Sequence, residues 1–205
     1  RLAGLTLGSL ERREVGLRIE RLQNDLEQAR EVQRMVLPEL RGRHGRLHYA
    51  LHVHPGRQVA GDLADVFRVA DGRIAIILGD VAGAGVGAGF LMAGVQAYLH
   101  AELMETGDAS IAASRCNHYL SRVGGGRFVT AWIGVIDLDS GGCHFVDAGH
   151  GHVRIVHAGL APSLLPCRGS VPMGIAADSQ FEPESFLLRP QMRVVLYSDG
   201  VAEQR

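Results

Sequence analysis

Between Ser9 and Leu37 the apolar residues recur at alternating four- and three-residue steps: Val15, Ile19, Leu22, Leu26, Ala29 and Val36, with only Gln33 breaking the seam. So narrow a stripe suits pairing with another helix, and Pro38 supplies the stop. The flanks (Glu11, Arg12, Arg13, Glu14; Glu20, Arg21; Glu27, Arg30, Glu31, Arg34) are almost wholly charged. The pattern therefore predicts an arm that leaves its domain and pairs with a second copy, rather than a helix lying on its own domain. A sequence that starts with Arg1 and opens directly into such an arm is expected to be part of a longer protein.

After a polar stretch, Arg41 to Arg46, the period changes to two. Leu47, Tyr49, Leu51 and Val53 alternate with His48, Ala50, His52 and His54, which predicts a half-buried strand. The histidine row invites a zinc reading, but it has no nearby cysteine or spaced partner motif, and a solvated face is the simpler expectation. Leu63 to Val69 and Arg73 to Leu78 are two apolar runs joined through Asp71-Gly72, a strong hairpin signal. A helical stripe including Met92, Val95, Leu99 and Leu103 follows, then a second helix from an Asp108 cap to about Val123. Phe128 to Ile136, Cys143 to Val146, Val153 to His157 and Met192 to Tyr197 read as strands. Strands, two helices, then mostly antiparallel strands describe sheets with helices on their outer faces rather than an alternating parallel sheet.

Composition narrows the chemistry. The 205 residues suffice for one globular domain with an appendage. All 21 basic residues are arginine, which excludes a Walker-type lysine, a kinase strand lysine and a pyridoxal Schiff base. A net charge of -1 leaves no electrostatic footprint for nucleic acid. No apolar run is long enough to span a bilayer, and no signal peptide is visible. Cys116, Cys143 and Cys167 are odd in number and widely spaced, which fits a reducing cytoplasm and buried thiols.

The hairpin carries the chemistry. Folding it returns Gly61-Asp62 and Gly79-Asp80 to one end, and register decides how they meet. A strict two-residue loop pairs Asp62 with Val81 and puts the carboxylates on opposite faces. A three-residue loop, Ala70 to Gly72 with Gly72 left-handed, pairs Asp62 with Asp80 on one face. Facing carboxylates destabilise a sheet unless a cation joins them, and oxygen donors favour magnesium or manganese. The following Gly83-x-Gly85-x-x-Ala88 formally matches a dinucleotide fingerprint. Asp80 would repel the pyrophosphate, however, and Glu102 falls inside the helix rather than at a strand end. Small residues packing beside an acidic site explain the run more simply. Tyr197-Ser198-Asp199-Gly200 delivers a third acid from an apolar strand.

These acidic strand ends, in this order and joined to this arm, resemble the SpoIIE/RsbU-type bacterial branch of the metal-dependent serine/threonine phosphatases, the PPM class. The matching pieces are Ala29-Arg30-x-x-Gln33-x-x-x-Leu37-Pro38, Gly61-Asp62-x-x-Asp65, Gly79-Asp80-Val81-Ala82-Gly83-x-Gly85, Phe128-Val129-Thr130, Ala148-Gly149-His150, Met173-Gly174-Ile175 and Tyr197-Ser198-Asp199-Gly200. The resemblance implies an α+β, four-layer α-β-β-α sandwich of two mostly antiparallel sheets spanning residues 41–205, preceded by a coiled-coil-like linker and dimerisation arm, residues 1–40. It implies two Mn2+ or Mg2+ ions, with Asp80 bridging both, the Val81 carbonyl on one, and Asp62 and Asp199 as further ligands. Asp65 would support a ligand by hydrogen bonding, and His150 aligns without an assigned chemistry.

The implied reaction is hydrolysis by a metal-activated water of a phosphoserine or phosphothreonine protein, of the kind that antagonises an anti-sigma factor. Partners would be that substrate, an upstream sensor or receiver domain, and a second copy bound through residues 9–37. The family usually carries a further Asp-Asp pair about forty residues beyond Ser-Asp-Gly, and this sequence stops at Arg205. Loss of that carboxylate would weaken one ion more than the other. It keeps open an alternative, a phosphatase-shaped domain without catalysis that serves as a protein-binding output module.

Overall fold

The computed structural model describes residues 2–53 and 61–202, with side chains from residue 13 to residue 201 within those spans. The arm is one long helix, α1 (Leu2–Met35), longer at its start than the seam predicts and ending two residues short of Leu37. Along it Val15, Ile19 and Leu22 are at least half exposed, so this stretch of the seam has no cover among the described residues, whereas Leu26 and Ala29 are partly buried. The polar stretch after the arm is itself a strand: β1 (Arg41–His44) pairs with β2 (Leu47–Ala50) in a short antiparallel hairpin. Leu47 and Tyr49 of β2 are half-buried and His48 is exposed, as the alternation predicts. His52 is also exposed, and His54 lies outside the described residues.

The body is built on a five-stranded antiparallel sheet, ordered β3 (Asp62–Ala70), β4 (Arg73–Val81), β5 (Val129–Asp137), β6 (Gly142–Ala148), β9 (Glu184–Leu187). A second sheet orders β10 (Arg193–Leu196), β7 (Val153–Val156) and β8 (Ser163–Leu164). Strands β1, β8 and β9 are short or polar at every other position, and their sequences carry no apolar run to reveal them. Alternation on the central strands separates two cores. Leu63, Ile77, Val81, Ala131, Ile133 and Val146 face the helices α2 (Val86–Thr106) and α3 (Ala109–Val123), packing on Val95, Leu99, Leu103 and Leu120. Trp132, Ile136, Cys143 and Phe145 point the other way and meet Val153 and Ile155 of the second sheet and Leu165 just after β8. Each fully buried leucine contributes roughly 2 kcal/mol of transfer free energy.

The helix ends follow their sequence signals. Asp108 accepts hydrogen bonds from the Ser110 and Ile111 amides at 2.8 and 3.0 Å, capping α3. α2 ends at Gly107 in the left-handed conformation. A helix layer thus covers the five-stranded sheet, and the two antiparallel sheets face each other across the second core. Among the described residues the outer face of the smaller sheet carries no comparable helices; the only later helix is the single turn α4 (Asp199–Ala202). Cys116 and Cys143 are buried as expected, whereas Cys167 is exposed, because it sits in the irregular segment after β8.

Candidate metal centre

The site begins with the β3–β4 register. Asp62 pairs with Asp80, and the pairing continues without a break to Arg68 and Ile74. The tight turn is nonetheless the two-residue Asp71-Gly72, with Gly72 left-handed at φ 72°, and Ala70 closes opposite Arg73. A bulge at Val69, between Arg68 and Ala70, absorbs the odd residue. The register expected from a three-residue loop is therefore reached by a short turn plus a bulge. On the far side of β4, Asp80 pairs with Thr130 of β5, so Asp62, Asp80 and Thr130 form one row across three strands. That row points toward the second sheet, at the end where the two sheets are stitched together.

The stitch consists of the segment after β6. Gly149 bridges to Ala131 beside the row, while the Tyr197 amide donates to the His152 carbonyl at 3.3 Å. Tyr197 follows β10, so Ser198 and Asp199 are carried to the same end. There the Ser198 hydroxyl donates to the Asp62 carboxylate. Asp80, Thr130, Gly149, His150, His152, Ser198 and Asp199 enclose a cleft of about 100 Å³.

The carboxylates feel one another. Burial, then the charge of Asp199, raises the Asp62 carboxyl above the usual aspartate range, against the Ser198 hydrogen bond that lowers it. Burial and the charges of Asp62 and Asp199 push the Asp80 carboxyl up to about 6. Gly61 explains how close the backbone comes. A Cβ added there would lie 2.6 Å from Asp80 Oδ1 and 2.7 Å from the Val81 carbonyl oxygen, so these two oxygens flank one point that only glycine leaves open.

Among the described residues no three His, Cys, Asp or Glu side chains are drawn into a finished ion-binding cluster. The donor set fits hard divalent cations all the same: anionic or carbonyl oxygens only, no thiol, and mutual repulsion that a cation would relieve.

Asp65, expected from the resemblance to support a ligand, lies apart from this group. Three positions from Asp62, it faces the opposite side of the sheet. Its carboxylate accepts from His100 Nδ1 of α2 at 2.8 Å, and the His100 ring stacks on Phe67. Asp65 thus fastens α2 to β3. It also borders a larger hollow of about 460 Å³ where Val36, Leu37 and Pro38 at the end of the arm meet Gln96 and His100, away from the acidic row.

The glycine-rich run also has a local explanation. Gly83 and Gly85 adopt φ of 106° and 87°, where side chains are strained, while Cβ atoms at Gly83 and Gly87 would meet Arg127 only at ordinary contact, 3.7 Å from Nε and 3.4 Å from Nη2. Thr130, His150, His152 and Ser198 were not singled out as site residues by sequence reasoning. Thr130 comes opposite Asp80 through the pairing of β5 with β4 across the two intervening helices, a long-range register that no local sequence signal carries.

Residues 70–205 match the family described as Stage II sporulation protein E (SpoIIE). The chain is 28% identical over 209 residues to Protein IcfG of Synechocystis sp. (strain ATCC 27184 / PCC 6803 / Kazusa), covering 88% of this chain and 33% of that protein. It therefore spans about a third of the length of this curated relative. Among solved structures, the RsbU and RsbW domains of Rv1364c from Mycobacterium tuberculosis align with a TM-score of 0.64 at 25% identity, covering 70% of this chain and 40% of that one. The SiaA-PP2C domain of Pseudomonas aeruginosa aligns with a TM-score of 0.71 at 20% identity, covering 88% and 73%.

Because the Asp80 carboxyl is raised to about 6, the folded chain holds that proton more tightly than the unfolded chain does. The associated stability is whole below pH 4 and drains away as pH rises through 6. In chelator, Asp80→Asn should therefore stabilise the protein at pH 7.5 by about 1 kcal/mol, a figure discounted for a half-exposed group, and have no effect below pH 4. Urea unfolding at both pH values measures this; an equal effect at both would disprove the linkage.

Proposed function

This chain belongs to the SpoIIE family of PPM-type phosphatases, and from that premise we propose that it is a metal-dependent protein serine/threonine phosphatase of bacterial signalling. The observation that carries the reading is the cross-strand pairing of Asp62 with Asp80, together with an Asp199 charge that both carboxyls feel. Asp62, Asp80, Asp199 and the Val81 carbonyl would hold two Mn2+ or Mg2+ ions, Asp80 contacting both. Bound there, the ions would supply a water of lowered pKa and positive charge for the phosphoryl oxygens.

The chain's own groups orient the site. Ser198 fixes the Asp62 carboxylate by donating to it, and the Gly61 backbone leaves room for the Asp80 and Val81 oxygens to lie side by side. A thiolate nucleophile is not at hand. Burial pushes the Cys116 and Cys143 thiols up to about 12, and Cys167 is raised as well. The absence of a reactive thiolate is in keeping with hydrolysis by water.

The proposed substrate is a phosphoserine or phosphothreonine protein of the anti-sigma-factor-antagonist type, in keeping with the pairing of RsbU and RsbW domains in the mycobacterial relative. The arm would connect an upstream sensor or receiver domain to residues 41–205 and pair with a second copy through residues 9–37. Its exposed seam supports that reading, as does its attachment: Gln96 Nε2 of α2 donates to the Val36 carbonyl at 2.5 Å. Since α2 starts at the glycine-rich turn after Asp80, a displaced arm has a direct mechanical route to the site. A cytoplasmic location goes with these partners, and no helix among the described residues is long and apolar enough to cross a membrane.

With a phosphoserine peptide and a manganese titration, the wild type should release phosphate only when metal is added, and Asp80→Asn should be slower by about 100-fold or more. Equal rates would remove the phosphatase reading. Sedimentation should give a dimer for the wild type and a monomer for Leu22→Glu; a wild-type monomer at high concentration would count against pairing through the arm.

A further inference from the structure

His150 stands in the cleft with an unused hydrogen-bonding atom. The residue is 5% exposed, yet its Nε2 is buried without a partner. The Tyr197 backbone supports the protonated ring, so a ring N–H faces it; with Nε2 unpartnered, Nδ1 is the nitrogen left for that role, and Nε2 then keeps a lone pair. Burial lowers the His150 pKa below the usual imidazole range, in keeping with a neutral ring. An acceptor of this kind, enclosed and unpaired, costs free energy unless a donor reaches it.

The loop around His150 is held firmly. Asp147, itself buried, accepts from the His150 amide at 2.7 Å and from the Gly151 amide at 3.0 Å. The imidazole meets the His152 ring edge-on, and His152 in turn packs on Tyr197, the residue that precedes Ser198 and Asp199. The nearest wall of the cleft carries Asp80, Thr130, Ser198 and Asp199.

We propose that His150 is a positioning residue: its Nε2 accepts a hydrogen bond from a water in the cleft beside Asp80 and Asp199, and so fixes where that water stands. With Nδ1 committed to the backbone and Nε2 carrying only a lone pair, the ring accepts a proton bridge and does not protonate a leaving group. The water's part in phosphate release rests on the phosphatase reading above; its presence on Nε2 does not.

Two measurements on the full chain separate these. In metal-free protein, 15N imidazole spectra should give His150 as the Nδ1–H tautomer with Nε2 shifted as a hydrogen-bond acceptor. An Nε2–H tautomer, or a free lone pair, overturns the proposal whether or not the protein is a phosphatase. In the manganese-loaded enzyme, His150→Ala should lower kcat about tenfold with KM and manganese affinity unchanged, and His150→Gln, whose amide oxygen can accept, should recover part of the loss. A His150→Ala rate within twofold of wild type, or equal loss in both variants with weakened manganese binding, overturns it too. A wild type that releases no phosphate would sink the phosphatase reading and leave the spectra to decide the water.

Discussion

Two aspartates facing each other across an antiparallel strand pair are an electrostatic cost that the fold imposes on itself. Asp62 and Asp80 are locked opposite one another by a ladder that runs unbroken to Arg68 and Ile74 and reaches the Asp71-Gly72 turn through the Val69 bulge, and Asp199 arrives from the end of β10 to add its charge. Ordinary strand pairs with like charges destabilise a sheet by a few tenths of a kcal/mol to about 1 kcal/mol. Here burial enlarges the penalty, and a carboxyl raised to about 6 is its signature. A positive charge placed between these carboxylates would relieve that cost.

The remainder of the structure holds that cost in place. The Val69 bulge sets the face on which Asp62 emerges; the helix-side core anchors β3 and β4 through Leu63, Ile77 and Val81. The second sheet brings Ser198 and Asp199 to the same end through the pairing of β10 with β7 and the His152–Tyr197 hydrogen bond. Strain at a functional site is offset by packing elsewhere, and replacing the responsible charge exchanges function for stability.

Much of this was legible in the amino-acid order because it rests on local signals: the Asp-Gly turn, the Asp108 cap, the apolar runs of the central strands. The convergence of residues 62, 80 and 199 followed from strand ends and a family resemblance. What could not be read were features decided by tertiary contact. Asp65 shares a motif with Asp62 but turns to His100, because strand alternation separates residues three apart and α2 offers a basic partner. β1, β8 and β9 form on pairing alone, without apolar runs. His150 gains its character from enclosure among Asp147, His152 and the Tyr197 backbone, none of which spacing reveals.

The most direct measurement is anomalous diffraction at the manganese edge from crystals soaked in Mn2+. Peaks within coordination distance of the carboxylates of Asp62, Asp80 and Asp199 and of the Val81 carbonyl are the expected result, with Asp80 touching more than one peak. Manganese bound elsewhere, or no peak at this end of the sheets, would contradict the claim that the paired aspartates exist to hold cations.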